Sequence, residues 1–388
     1  MFPYGVAGSV TDTASSGAIR FPDAYTTQPQ LLTVTPQARY MEYDMKSAKI
    51  YRWSLTLERE LGSWLVTAGY TGSRAQNLLL QFEGNTTRWD GFPNQVPTLE
   101  KNFRVANGNV NPSFGRLTVQ APVGNAFYHG LTVNLQHRLT KGLQFQGAYS
   151  FSKAIDMGAS SVNVQDSLAQ TVRTSYYFDV GMLKGLSLFD IRNNFVGNFV
   201  YDLPKTNLTG IAGGFANGWQ LSGVMTLSDG FAFSLSDAGN TAQRAQFFSQ
   251  DGLRPNLIPG GNNNPILGGP NMYYDVTQFV PSTCAGAAVC RAGDPDYRTG
   301  HFGNLGYNTL TGPGYATFDF SLLRNINVTE TSRFQFRTEF FNVANHPNFF
   351  LPNAAPFLSS GIRDPQAGRI TQTRGSARQI QFALKYIF

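Results

Sequence analysis

No run in this 388-residue chain approaches the ~18 consecutive apolar residues that a membrane-crossing helix requires. Charge is scarce as well: 14% of residues are charged, against about 25% in an ordinary soluble domain. The net charge is +6, and Lys and Arg stand singly rather than in patches. That leaves no electrostatic footprint for nucleic acid. Cysteine occurs twice, at Cys284 and Cys290 in a Gly/Ala-rich stretch. The pair could close a small disulfide loop in an oxidising compartment; without a nearby His it makes a poor zinc site. The four histidines, His129, His137, His301 and His346, are scattered, so neither a metal centre nor another cofactor is expected. Nucleophile elbows and phosphate-binding loops are missing too, and the chain is not expected to be an enzyme. Met1 is followed by Phe2, Pro3, Tyr4 and Gly5, with no basic region or apolar core of a secretory signal. Either the protein is not exported or the sequence is the C-terminal part of something longer.

What the chain does have is aromatic side chains (31 Phe and 17 Tyr) and 40 Gly, arranged with a period of two. At the C-terminus Ile380, Phe382, Leu384, Tyr386 and Phe388 alternate with Gln379, Gln381, Ala383, Lys385 and Ile387. A period of two sends one set to each face of a strand. In a soluble sandwich the apolar face points inward; in an outer-membrane barrel it points outward to lipid and the polar face lines the lumen. This strand alone does not choose.

The same alternation marks eight further segments. Tyr51, Trp53, Leu55 and Leu57 lead through a tight turn to Trp64, Val66, Ala68 and Tyr70. Leu131, Val133 and Leu135 lead through Lys141-Gly142 to Phe145, Gly147, Tyr149 and Phe151. Phe195 to Leu203 is followed by Trp219 to Leu227, which reads as one long bent strand continuing past Asp229-Gly230 to Leu235, with a hairpin at Asp229-Gly230 as the alternative. Phe318 to Leu322 leads to Phe334 to Phe340. Residues 1–40 read as irregular, with a weaker strand at 30–40, and residues 41–388 as a single barrel unit.

The connections decide between sandwich and barrel. In chain order they alternate short and long, the long ones covering about 73–127, 153–191, 238–314 and 342–377. If every connection reverses the chain, all short turns lie at one end and all long loops at the other, which is the arrangement of bacterial outer-membrane barrels. Trp64 and Trp219 open strands on the short-turn side, while Tyr70, Tyr149 and Phe151 are expected to close strands on the long-loop side, forming two interfacial aromatic girdles. Arg52, Glu58, Arg138, Asp319, Arg333, Arg337 and Glu339 fall on the polar face, where a wet lumen removes the cost of burying them. The expected fold is therefore an all-β, antiparallel transmembrane barrel in the bacterial outer membrane, in contact with its lipid.

Several blocks carry a family resemblance. Glu58-Arg-Glu-Leu-Gly62, Ala68-Gly-Tyr-Thr-Gly-Ser73 and Tyr149-Ser-Phe-Ser-Lys-Ala-Ile-Asp156 resemble the C-terminal barrel of TonB-dependent outer-membrane receptors, specifically the Oar-like branch. Tyr201-Asp-Leu-Pro204, Gly218-Trp-Gln-Leu-Ser-Gly223, Phe336-Arg-Thr-Glu-Phe-Phe-Asn-Val343, Asn345-His-Pro-Asn348 and Arg378-Gln-Ile-Gln381 are similar to further blocks of that pattern. The resemblance implies a barrel of about 22 strands, plugged by an N-terminal domain, energised through a TonB box and moving a bulky solute. With nine clear strands and a weaker tenth, and neither plug nor TonB box, the chain is expected to be the C-terminal part of such a receptor, reaching TonB only through the missing N-terminal part. The terminal Phe382, Leu384, Tyr386 and Phe388 resemble the signal by which barrels engage their assembly machinery. Ligand specificity is expected in loops 73–127 and 238–314, and the solute itself is not encoded. The alternative is a soluble or surface-exposed all-β binding protein.

Overall fold

The computed structural model describes residues 38–85, 111–114, 117–157, 173–174, 180–237, 254–282, 303–329 and 331–388. Nine strands form one continuous sheet: β1 (Lys49–Leu61), β2 (Trp64–Glu83), β3 (Leu117–Thr140), β4 (Leu143–Asp156), β5 (Asn193–Asp202), β6 (Trp219–Ser228), β7 (Tyr315–Asn327), β8 (Arg333–Phe341) and β9 (Gln379–Ile387). Each pairs antiparallel with the next in chain order, an up-and-down meander. These are the nine strands that the alternation predicts. Short connections, one of them carrying the seven-residue helix α1 (Gly210–Ala216), gather at one end, and the long ones gather at the other. β1 and β9, the two edges, both run toward the short-connection end.

Directly opposed residues share a face, so the register extends the alternation across the whole sheet. A line of registered partners runs Leu61, Trp64, His137, Phe145, Phe199, Gly223, Phe320, Phe340, Ile380. It begins at the last residue of β1, beside a two-residue turn, and reaches β8 at Phe340, seven residues beyond the Arg333 that opens that strand. A row that climbs in this way is the stagger that tilts strands against the axis of a barrel wall. Among the described residues the sheet is open, with no strand paired to the outer sides of β1 and β9.

Three expectations are corrected. The polar gap foreseen from 73 to 127 is narrower, because β2 runs on to Glu83 and β3 begins at Leu117. Register shifts near Leu78, with Asn77 at φ 58°, break the period-two signal there. Beyond the shift Leu80, Val119 and Ala121 are buried with Met157 and Leu183 in a small core of their own. The extension also places Tyr70 inside β2 rather than at its end; Tyr149 and Phe151 likewise sit within β4, which runs on to Asp156. Finally, β6 stops at Ser228 and neither continues nor forms a hairpin. Gly230 passes so close to the Gly312 carbonyl that a Cβ would collide with it, and Ala232–Phe233 then pairs with Leu310–Thr311. Of the weak strand at 30–40, residues 30–37 lie outside the described residues, and Ala38–Met41 runs parallel to the start of β3.

The principal hydrophobic core is in the loops. Phe233, Leu235, Tyr273, Tyr274, Phe279, Leu305, Leu310, Phe357 and Ile370, drawn from the β6–β7 and β8–β9 connections, are buried against one another. We call this folded body the cap.

Candidate functional site: two faces and a cap

On the sheet's apolar face, large side chains stand in the open: Leu57 is 66% exposed, Phe382 69% and Leu384 69%. A soluble monomer seldom exposes so continuous an apolar surface. The rows do not meet one another across a dry interior, which a sandwich would require. Glycines at 147, 197 and 223 make room on this face for Phe145, Phe195, Phe199 and Phe318, whose rings lie over them; a Cβ on Gly223 would come 2.7 Å from Phe199 and 3.0 Å from Phe318.

Basic side chains do occur on this face, but only toward its ends. Arg59 and Arg324 lie near the short connections, Arg74 and Lys153 toward the long ones. Long basic side chains there can reach the headgroup layer, whereas a charge near the midplane costs about 2–4 kcal/mol. Near the short connections Trp64 packs against His137 with ring centroids 4.4 Å apart, and the His137 Nε2 lies 2.8 Å from the Ser63 hydroxyl. Arg324 stacks its guanidinium over Trp219 and Phe215, and the Trp219 indole N–H donates to the Phe215 carbonyl at 2.9 Å. Farther up, the Tyr70 hydroxyl and His129 Nδ1 are 2.8 Å apart beside Trp53, and the Tyr149 hydroxyl donates to Asn193 Oδ1 at 2.7 Å. Phe151 is registered between Leu131 and Asn193 on the same face. His129 and His137, eight residues apart in sequence, join these aromatic groups through register. The signal was their parity with Leu131, Val133 and Leu135.

The opposite face is the polar one. Arg52, Glu58, Arg138, Asp319, Arg333, Arg337 and Glu339 all take its parity. Arg138 Nη2 donates to Glu60 Oε1 at 2.6 Å with both side chains well exposed, so the pair contributes no more than about 1 kcal/mol. Thr67 donates to Glu58 at 3.2 Å, and Arg337 meets Glu339 at 3.5 Å. At the cap end of this face is a cavity of about 420 Å³ between β7, the top of β8 and β9. Tyr315, Thr317, Asp319, Phe341, Gln379 and Gln381 line it from the sheet, and Asn342, Asn348, Gly375 and Ser376 from the loop.

The loop is held there by asparagine. Asn342 and Asn345 adopt left-handed backbone, with φ of 47° and 51°, which this residue tolerates better than most. The Asn342 N–H donates to Asp319 Oδ1 at 2.7 Å, and its side chain accepts from the His346 N–H at 3.0 Å. Asn348 brackets Ala316, accepting from its N–H at 2.7 Å and donating to its carbonyl at 2.9 Å. The segment thus takes over the edge of β7 where β8 ends.

In the cap, burial raises the Tyr273 phenol to about 12 and pushes Tyr274 up as well. Burial draws the Arg254 guanidinium down, and the Thr277 hydroxyl holds the Asp275 carboxyl below its usual range. Cys284 and Cys290 lie outside the described residues. On the far edge of the sheet, Phe382 stacks near Phe336 at 6.4 Å, Leu384 is registered with Phe336, and Tyr386 packs against Phe334 at 4.8 Å and Phe388 at 5.7 Å.

A meander with one apolar and one polar face, a staggered register and sorted connections is the wall of an outer-membrane β-barrel. The comparison with known families agrees: the chain matches the outer membrane beta barrel domain over residues 2–381 and belongs to that family. It is therefore a protein of the bacterial outer membrane, with lipid around it. Among curated proteins nothing matches. Among solved structures it is similar to the outer membrane transporter YddB from Escherichia coli, at 10% identity over 91% of this chain and 34% of that one, TM-score 0.42. Others include the FrpB iron transporter from Neisseria meningitidis, at 10% identity over 90% and 33%, TM-score 0.39, and the siderophore receptor PiuA from Acinetobacter baumannii, at 9% over 88% and 28%, TM-score 0.36. The chain thus spans about a third or less of the length of these structures.

Proposed function

We propose that the chain is the C-terminal part of the barrel of a TonB-dependent receptor of the Oar-like branch, a transport wall rather than an enzyme, through which a bulky solute crosses the outer membrane. The observation that carries this reading is the polar cavity beneath the cap: hydroxyls, amides and one carboxylate gathered on the face opposite the apolar one. In this reading Arg52, Glu58, Arg138, Asp319, Arg333, Arg337 and Glu339 face the lumen, and Trp64, Trp219, Tyr70, Tyr149 and Phe151 belong to the interfacial belts. The cap and the long loops select the solute. TonB would act through a plug-bearing part outside this chain, and Cys284 with Cys290 would staple a loop. Deleting the gene and comparing the solutes depleted from the medium tests the reading. A solute whose uptake is lost on deletion, restored by a plasmid copy and abolished by a protonophore supports it; unchanged uptake of every solute sinks it.

In the same reading Phe382, Leu384, Tyr386 and Phe388 are the side chains offered to the barrel-assembly machinery. An edge strand with a free backbone and an apolar row suits pairing with another sheet, and β9 is exposed along nearly its whole length. Removing Phe388 is expected to stop insertion without affecting synthesis. Normal heat-modifiable mobility of the truncated protein in outer-membrane fractions would refute this.

A further inference from the structure

The polar face is poor in aromatic rings. From β4 to β9 it carries two, Tyr315 and Phe341, and both stand at the cavity beneath the cap. The Arg374 guanidinium lies over the Tyr315 ring, 5.4 Å from its centroid. Phe341 is 37% exposed and, among the described residues, stacks on no other ring. Its register partner on β9 is Gln379, so an open ring and an amide stand side by side across the β8–β9 pair.

Hydrogen-bonding capacity is left over around that ring. The side chains of Gln379, Gln381 and Ser376 bond to no described residue, nor does the Tyr315 hydroxyl. Asp319 accepts the Asn342 N–H at 2.7 Å and the Thr317 hydroxyl at 3.4 Å through Oδ1, which leaves Oδ2 open. Asn342 and Asn348, in contrast, are engaged in holding the turn. Among the described residues no Lys, Arg or His lines the cavity. One carboxylate without a cation disfavours an anionic solute. A neutral one is held by groups that both donate and accept, and primary amides and hydroxyls do both.

We propose that this cavity is a subsite for a neutral sugar unit of a glycan, which lies against the Phe341 ring and is hydrogen-bonded by Gln379, Gln381 and Asp319. A sugar ring has two kinds of surface, C–H groups of slight positive charge and a rim of hydroxyls. The negative face of an aromatic ring suits the first. Amides and a carboxylate suit the second, because an amide accepts from one hydroxyl while it donates to the next. The volume of about 420 Å³ falls within the range of about 300–1,000 Å³ that small-molecule sites occupy. The inference rests on the polar face being the solute's path, as proposed above, and adds the chemical class of that solute.

The full chain is extracted from outer membranes into detergent and applied to an array of neutral and uronic-acid oligosaccharides; each glycan retained is then titrated in solution. The wild type is expected to bind a neutral glycan. Phe341→Ala and Gln381→Ala should each weaken it about tenfold, the loss of one good contact. Phe341→Tyr, which keeps the ring, should restore binding, and Gln146→Ala, on the polar face of β4 away from the cavity, should leave it unchanged. Heat-modifiable mobility shows that each variant is folded, and the side chains removed take no part in the main-chain pairing of β8 with β9. Binding of uronic-acid glycans alone, binding of no glycan, or equal binding by wild type, Phe341→Ala and Gln381→Ala overturns the subsite. Transport fails separately: a bound sugar whose uptake survives deletion of the gene keeps the subsite and sinks transport. Lost uptake of a solute that is not a sugar, with a blank array, does the reverse.

Discussion

The sheet and the cap use the same side chains in opposite ways. In the cap Phe233, Tyr274, Phe279 and Phe357 are almost wholly buried against one another; in the sheet Leu57, Phe382 and Leu384 face outward. The cap is built like a water-soluble domain, whose apolar groups gain by leaving water for their own kind. The sheet is built for hydrocarbon, where an outward Leu costs nothing and what counts is that backbone polar groups are paired strand to strand. One chain therefore folds against two solvents, and the boundary between them runs where β6, β7 and β8 give way to loops.

Four tests would break or sharpen that contrast. The largest effect is expected in the cap, where Phe279→Ala empties a fully buried site and should cost about 3–5 kcal/mol. Proteolysis of the loops should rise steeply while heat-modifiable mobility of the sheet persists. Next comes the middle of the apolar face: Val133→Arg should destabilise the inserted sheet by about 2–4 kcal/mol. Its neighbour Asn134→Arg, on the polar face, should fall within about 0.5 kcal/mol of wild type. Denaturant unfolding in lipid vesicles measures both, and equal costs would mean the two faces do not differ in solvent. Glycine gives a gentler version of the same asymmetry. Gly223→Ala forces a Cβ against Phe199 and Phe318 and should cost about 1–3 kcal/mol, whereas at Gly69 on the polar face the nearest atom is Thr56 Oγ1 at 3.6 Å, and the change should be small.

Alkali separates the two regions most gently. The Tyr273 phenol is raised from 10.0 to about 12 in the fold. Its contribution is fully present below pH 10 and is lost as pH rises toward 12, because the unfolded chain ionises first; at pH 11 the loss is about 1.4 kcal/mol. Hydrogen exchange should open the cap before the sheet as pH is raised through that window, and simultaneous opening would contradict the assignment.

The alternation of residues such as Leu131, Val133 and Leu135 made the nine strands and their two faces legible, because a strand's period is local. Sorting of the connections by length was legible for the same reason. The cap was not, since its core joins Phe233 to Phe357 across more than a hundred residues without any period. Nor was the far end of β2, where a register shift at Asn77 erases the alternation although pairing continues. The polar cavity needed the fold as well: Gln379 and Gln381 read only as the wet side of the last strand until the turn at Asn342–Asn348 closed over them.

The common direction of the two edge strands limits how this wall can be finished. If identical copies were set in a ring, β9 of each would lie beside β1 of the next with both pointing the same way, a parallel seam in an otherwise antiparallel cylinder. A closure that keeps neighbours opposed must insert an odd number of further strands between them, the first and last of which run away from the short-connection end.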